Sequence, residues 1–279
     1  AEGNLFCSCD YSALESRLGA DIYNEKAMLH EYLYGSGDIH SLVAKGCFPE
    51  ELENIEIKDI KKLRPDLRTK AKAPEFACQF GGGANAIQGS LSCSMEQAEI
   101  IEKNYYTMFS GIAEFKNKGS KFVRENGYVL ICSITGHKIY WYDHQEWLER
   151  QKSFTPEFWD RYRELKKINP QHPTIKMVSY HFKAAAKWDR MALNSPTQGS
   201  GICILKYAMY LFFKWVVENN LFGKVLIVNL VHDESNIEFP EIMPEVAIKL
   251  QECMEKSASV FCKKLPILAI PEVGTHWIH

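Results

Sequence analysis

Two short acidic sequences near opposite ends of the chain carry the residue types that phosphoryl chemistry needs: Asp10-Tyr11-Ser12-Ala13-Leu14-Glu15-Ser16-Arg17 and His232-Asp233-Glu234. Asp10 follows an alternating stretch and precedes a helical one, which sets its carboxylate at a strand end on a tight turn. A Mg²⁺ ion there takes one or two protein carboxylates and keeps positions for phosphate oxygens and water. Asp233 follows seven largely apolar residues, and three ionisable side chains in a row are not turn filler of the Gly or Asn type. Two strand-end carboxylates around paired divalent ions suit in-line displacement at phosphorus. Plainer readings exist for both. Ser12 and Glu15 have capping-box spacing, an Asp before a helix serves its N-terminus, and His-Asp also fits a hydrolase fragment or a polar turn.

A third constellation is Arg68-x-x-x-Lys72-x-x-x-Phe76-x-x-x-Phe80-Gly81. Four-residue spacing puts the two cations and two rings along one side of a helix. A triphosphate fits the cationic half, and a base of any identity fits the aromatic half, because every base has a π-face. An amphipathic helix with both rings in the core is the alternative. Pro74 lies inside this segment and is expected to kink or shorten it.

The elements that must position these groups follow from periodicity. Asn4 to Asp10 alternates as a half-buried strand, with Leu5, Cys7 and Cys9 on one side. Tyr11 to Tyr23 reads as a helix, with Leu14, Leu18 and Ile22 on one face. Ser36-Gly37-Asp38 breaks the pattern, and Pro49 and Pro65 bracket a charged, loop-rich stretch. Helices are expected from Thr69 to Phe80 (ending at Gly81-Gly82-Gly83), Met95 to Phe109, Ile112 to Glu125, His181 to Asn194, Gly201 to Asn219 and Pro244 to Phe261. Tyr128 to Ile134 and Lys138 to Tyr142 read as strands around Thr135-Gly136, and Val225 to Val231 with Ser235 to Phe239 as the arms of a hairpin. The aromatic stretch from His144 to Pro173 reads as helical and surface-lying. The fold class is therefore mixed α+β.

The 279 residues, 46% hydrophobic and 24% charged, are ordinary globular material for one large domain or two modest ones. No uninterrupted apolar run approaches the ~20 residues of a membrane span, so no membrane partner is expected. Nine cysteines without a C-x-x-C pair suggest reduced thiols in an intracellular protein, not structural zinc. A net charge of −2 excludes coating nucleic acid by bulk electrostatics but not a local basic groove. Such charge is concentrated: seven Lys or Arg against two Asp from Lys58 to Lys72, and ten against four acids from Arg150 to Arg190. The segment from Glu218 to Glu255 is acidic instead. The first residue is Ala1 and not Met, as for a processed, cut or engineered start.

In this order the three constellations resemble motifs A, B and C of family A (polymerase I type) DNA polymerases, D-Y-S-x-x-E-x-R, R-x-x-x-K-x-x-x-F-x-x-x-Y-G and H-D-E. Further segments agree: Gly37-Asp38-Ile39-His40 with the family's D-I-H, Thr135-Gly136 with its T-x-x-G-R turn, Arg190, Asn194 and Gln198-Gly199 with R-x-x-x-N-x-x-x-Q-G, and the ending Gly274 to His279 with its terminal G-x-x-W and final His. The resemblance covers the chain apart from about 144–180, and its variations look more phage-like than bacterial.

The resemblance implies an antiparallel palm sheet with a mostly helical fingers subdomain: palm in 1–35, fingers in 36–188 with an insertion at about 144–180, palm again in 189–279. It implies a template-directed DNA polymerase catalytic core that adds deoxynucleotides to a primer in the cytosol of a phage or bacterial host. Asp10 and Asp233, with the Tyr11 carbonyl, would bind two Mg²⁺ ions, for which Mn²⁺ is a possible substitute. Lys72 and Arg68 would hold the triphosphate, with Lys72 protonating pyrophosphate, and His40 would contact the triphosphate. Glu15 would crowd the sugar 2′ position, Phe76 would pack on the sugar and Phe80 would stack. Arg190, Asn194, Gln198 and His232 would touch primer and template, with Arg190, Gln198 and His232 reading minor-groove acceptors common to A·T and T·A pairs. Three departures stand out: Phe80 replaces the family Tyr, His137 replaces the turn's Arg, and Thr135 and Gly136 are adjacent. The aromatic insertion either grips nucleic acid or a partner, or packs on the fingers. With nine residues before Asp10, thumb, first palm strands and exonuclease are expected upstream or on a separate polypeptide. The alternative function is a truncated nucleic-acid-binding fragment, inactive without that partner; single-subunit RNA polymerases share the palm logic but are disfavoured by Glu15.

Overall fold

A computed structural model describes residues 3–277. In chain order it forms β1 (Asn4–Tyr11), α1 (Leu14–Ile22), α2 (Lys26–Tyr34), α3 (Ile39–Cys47), α4 (Ile57–Leu63), α5 (Pro65–Gln79), α6 (Gly83–Leu91), α7 (Met95–Met108) and α8 (Ser110–Asn126). Then come β2 (Tyr128–Leu130), β3 (Lys138–Tyr140), α9 (His144–Lys152), α10 (Pro156–Ile168), α11 (Pro173–Glu218), β4 (Leu226–Val231), β5 (Glu234–Pro240), α12 (Glu245–Phe261) and β6 (Ala269–Gly274).

The main sheet has the order β4-β5-β1-β6, and all its pairings are antiparallel. Alternation in β1 sends Cys7, Cys9 and Tyr11 into the core and leaves Asp10 exposed. Tyr11 anchors that face by donating its hydroxyl to the Met254 carbonyl in α12, at 2.8 Å. The helix start anticipated at Tyr11 falls at Leu14, because Tyr11 completes the strand and Ala13 turns the chain at φ 53°, ψ 45°. No side chain caps α1, so the capping box open to Ser12 and Glu15 is not formed.

β6 was not anticipated. Pro271 argues against a strand, yet β6 is the outer strand beside β1, where proline is tolerated. At the opposite edge, β4 leaves Leu226, Ile227, Val228 and Leu230 exposed. The loop-rich stretch between Pro49 and Pro65 contains α4, and a turn of glycine ends α5 only briefly before α6 begins. The nine cysteines are unpaired.

The two helices anticipated on either side of 195–200 are one helix, α11, of 46 residues. Its glycines are packing positions and not breaks: a Cβ on Gly199 would lie 2.6 Å from the Ile131 carbonyl oxygen. α11 also runs unbroken through 188–189, the palm–fingers division suggested by sequence, so the two regions share a rigid element. By length and mean hydropathy (1.4 over its most apolar window) it is the one described helix able to cross a membrane. Ile204, Leu205, Ala208 and Phe212 account for that apolarity, being buried in the main core with α1 and α12. α5 likewise continues through Pro74.

The aromatic insertion folds as α9 and α10 against the first half of α11. Its Trp147 joins a second core with Trp141 and Trp188, which lie on either side of the insertion, and with Val123 and Val129. Trp141 stacks on Trp188 at 5.1 Å, and Trp147 lies parallel to His181 at 4.6 Å. The indole of Trp147 donates to the His181 carbonyl. Burial holds the His181 imidazole below its usual pKa, and Arg150 adds to the effect. Of the insertion's rings Trp147 is thus structural, while Phe154, Phe158, Trp159 and Tyr162 stay partly exposed.

Candidate functional site

The register of β1 on β5 brings the two acidic segments together. Asp10 is directly opposite Glu234, and Val231 pairs with Glu234 across a two-residue turn made of His232 and Asp233. Residues opposite one another across such a ladder are ~5 Å apart, so Asp233 is about one residue step from Asp10. His232 takes φ 53°, in the left-handed region, as does Ala13 at the turn after β1. Two non-glycine residues in that conformation, both lining one cleft, are the local strain that collects at functional sites.

That cleft, about 620 Å³, is lined by Ala13, Glu15, Ser16, Gln198, His232 and Asp233 among others. Burial raises the Asp233 carboxyl above the usual aspartate range; its own amide and His232 oppose this, and Glu234 adds to it. Burial also raises Glu15, followed by the charge of Asp233, with His232 opposing. The cleft therefore concentrates negative charge. No group of three potential ligands stands together among the described residues, which argues against a dedicated protein cage. Two strand-end carboxylates and a backbone carbonyl beside open space do fit Mg²⁺, which binds through few protein oxygens and substrate phosphates. Tyr11 can contribute only its backbone, since its ring is buried.

A second cleft of about 480 Å³ shares Ala13 and Ser16 with the first, so the two flank the start of α1. It is lined by His40 and Arg68 and also by Lys58, Lys61, Asp38 and Glu75. Asp38 caps α3 through Ser41 and receives Arg68 through Nε and Nη2, both at 2.9 Å. Burial works against the Asp38 charge, but the Arg68 and Ser41 hydrogen bonds outweigh it and lower the carboxyl's pKa. His40 Nδ1 meets the buried Glu75 carboxylate at 2.6 Å. Glu75 and Asp38 thus hold His40 and Arg68, two anticipated nucleotide contacts; the sequence marks Asp38 only as part of the D-I-H segment and gives no sign of Glu75. Lys58 and Lys61 had been counted only as part of a charged cluster.

Phe76 and Phe80 stack in parallel, 6.0 Å apart and 4° between planes, and Phe76 is 53% exposed. They are therefore not core rings. Lys72 is exposed one turn before Phe76, on the same face, and lines neither cleft. Asn194 Nδ2 donates to the Phe80 carbonyl at 3.1 Å, tying α11 to the end of α5. Gly81 at φ 71° lets the Arg190 stem pass; a Cβ would lie 3.0 Å from its Cγ. Arg190 and Gln198 are exposed.

Glu234 has a different part from its two neighbours. It is buried, and its Oε1 accepts from Asn236 Nδ2 at 2.6 Å and Trp277 Nε1 at 3.0 Å. The third letter of the acidic triplet thus fastens the C-terminal segment to the hairpin, and the Trp of the ending has its partner. Ile278 and His279 lie outside the described residues. Arg17 is structural too, with its guanidinium 4.2 Å over the Tyr32 ring and a bond to the Pro266 carbonyl. Thr135 and His137 are bonded to each other at 3.0 Å in the exposed turn between β2 and β3.

Comparison with known proteins bears on the family and the fold. The chain is 25% identical over 279 residues to DNA polymerase I of Caldicellulosiruptor bescii, covering 99% of this chain and 27% of that protein. It is 26% identical over 278 residues to DNA polymerase I of Streptococcus pneumoniae, again covering 99% of this chain and 26% of that protein. It thus spans about a quarter of the curated relatives it matches. Among solved structures, the POL domain of Pol1 from M. smegmatis, in complex with DNA primer-template and dNTP, superposes with a TM-score of 0.72 at 22% identity. That likeness covers 99% of this chain and 41% of the other, and it establishes the fold. The family description "DNA polymerase family A" matches residues 1–279, and the chain belongs to that family.

Proposed function

We propose that this chain carries the nucleotide-adding site of a template-directed DNA polymerase, extending a primer 3′ end with deoxynucleotides. The observation that carries the reading is the β1–β5 register, which sets Asp10 beside the turn whose Asp233 lines an acidic cleft.

Asp10, Asp233 and the Tyr11 carbonyl would hold two Mg²⁺ ions, which Mn²⁺ can replace. When bound, such ions activate the attacking oxygen and stabilise charge on the transferred phosphorus. The chain's own residues do the rest. Arg68, preset by Asp38, and His40, preset by Glu75, receive the triphosphate in the second cleft, where Lys58 and Lys61 add charge. Lys72 stands on the same face of α5 as the Phe76–Phe80 stack and, on this reading, supplies a proton to the leaving pyrophosphate. Phe76 offers its exposed ring to the sugar, and Glu15 at the cleft wall leaves no room for a 2′-hydroxyl. Arg190, Asn194, Gln198 and His232 line the path of primer and template. The palm (1–35 and 189–279) and fingers (36–188) division follows the same reading, with α11 as the shared spine. DNA and deoxynucleoside triphosphates as partners imply an intracellular setting.

The exposed apolar edge of β4 supports further polypeptide completing the sheet there, whether on the same chain or a separate one. The test is primer extension by the purified chain with Mg²⁺, with and without flanking polypeptide. Extension that survives Asp10→Asn or Asp233→Asn would defeat the assignment.

A further inference from the structure

α11 carries a stripe that no motif accounts for. Lys176, Tyr180, Lys183 and Lys187 follow the heptad spacing that leads on to Arg190, Asn194 and Gln198. At 3.6 residues per turn these side chains fall within about 40° of one line, over a rise of about 33 Å. The opposite side of the same segment is the buried one, with Val178, His181, Ala185, Trp188 and Ala192 packed into the second core or against α9. Lys176, Lys183, Lys187 and Arg190 are all exposed, and Tyr180 is 63% exposed.

The stripe's chemistry is one-sided. Asp189 is the sole acid in α11 before Glu218, and it points to the flank, where Arg124 holds it. On α9 and α10 three of the cations are paired about one turn away, Arg150 with Glu146, Lys152 with Glu149 and Arg163 with Asp160. Among the described residues Lys176, Lys183 and Lys187 have no such partner. The line ends at Gln198, on the wall of the acidic cleft.

We propose that this face of α11 is a track for single-stranded DNA, continuous with the strand that leaves the cleft unpaired, the template. The inference rests on the polymerase reading above. A row of lysines one side chain wide follows one phosphate backbone, and the exposed Tyr180 ring among them has a use only where bases are unpaired and can stack. A duplex would present its backbone and no base face to that ring.

The experiment is fluorescence anisotropy on two primer-templates, one with a one-nucleotide 5′ template extension and one with a long extension, over a salt series. Combining Lys176→Gln, Lys183→Gln and Lys187→Gln is expected to weaken binding of the long-extension DNA at least ~10-fold and to lower its salt slope by about 2, since each lost single-strand phosphate contact removes about 0.7. Tyr180→Leu is expected to weaken the same substrate ~5-fold or more without altering the slope. Binding of the one-nucleotide substrate, and a single nucleotide addition to it, stay within about twofold in both variants, and Lys-to-Arg replacements restore the long-extension affinity. Unchanged affinity for the long extension, or equal loss on both substrates, overturns the track while leaving the polymerase site standing. Failure of the unaltered protein to extend the one-nucleotide substrate overturns the polymerase reading, and this inference with it.

Discussion

Asp10 and Glu234 are paired across β1 and β5, yet one points to solvent and the other is buried against Trp277. The pairing brings two segments distant in sequence to one edge of the sheet. The turn residue Asp233 lines the cleft and Asp10 is exposed beside that turn, while Glu234 accepts from Asn236 and Trp277.

Replacing Asp233 with Asn is therefore expected to separate activity from stability. Primer extension should fall by at least ~10³-fold, since on the proposed reading the site would lose one of its two charged metal-binding oxygens. Stability should rise at neutral pH. Burial raises the Asp233 carboxyl in the folded state, so its ionisation opposes folding as pH rises through the range between its unfolded and folded values. The variant's gain in melting temperature should be present at pH 7 and gone below about pH 3.5, where both forms are neutral. Thermal melts across pH, without added metal, check it.

Glu234→Ala should destabilise the protein by roughly 1–3 kcal/mol, because the Asn236 amide and the Trp277 indole lose their acceptor. Trp277→Phe removes one of those donors and should cost less, about 1 kcal/mol. Urea denaturation midpoints would show the difference. Equal effects would mean that Glu234 does not join the two segments.

Asp38→Asn should raise the KM for the nucleotide several-fold with a smaller change in kcat, since Arg68 loses the carboxylate that orients it. The pH dependence has the opposite sign to that of Asp233. The Asp38 carboxyl is held below its ordinary value in the fold, so its contribution is present above the unfolded value and is lost as pH falls through the folded one. The stability difference between wild type and Asp38→Asn should thus be full at pH 6 and shrink as acid is added through about pH 4 and below.

Glu15→Ala opens the cleft wall beside Asp233 and should increase ribonucleotide use at least ~10-fold relative to deoxynucleotide. Phe76→Tyr, on the exposed ring of the stack, should ease dideoxynucleotide incorporation by a similar factor. Competition assays on one primer-template measure both, and an unaltered sugar preference would remove either residue from the sugar site.

Much of the design was legible in the residues themselves. The alternation of Asn4 to Asp10, the four-residue spacing of Arg68, Lys72, Phe76 and Phe80, and the apolar arms around His232-Asp233 each express a local period, and local periods fix strands, helices and hairpins. The joins were not legible. β6 was hidden because Pro271 is tolerated only at an edge, and being an edge is a property of the whole sheet. The single helix α11 was hidden because its glycines are packing positions, Gly199 against Ile131 and Gly201 against Leu14, contacts absent from any local pattern. Pairings such as Asp38 with Arg68, Glu75 with His40 and Glu234 with Trp277 were likewise decided by tertiary structure, since a carboxylate takes its role from the donor that folding brings to it.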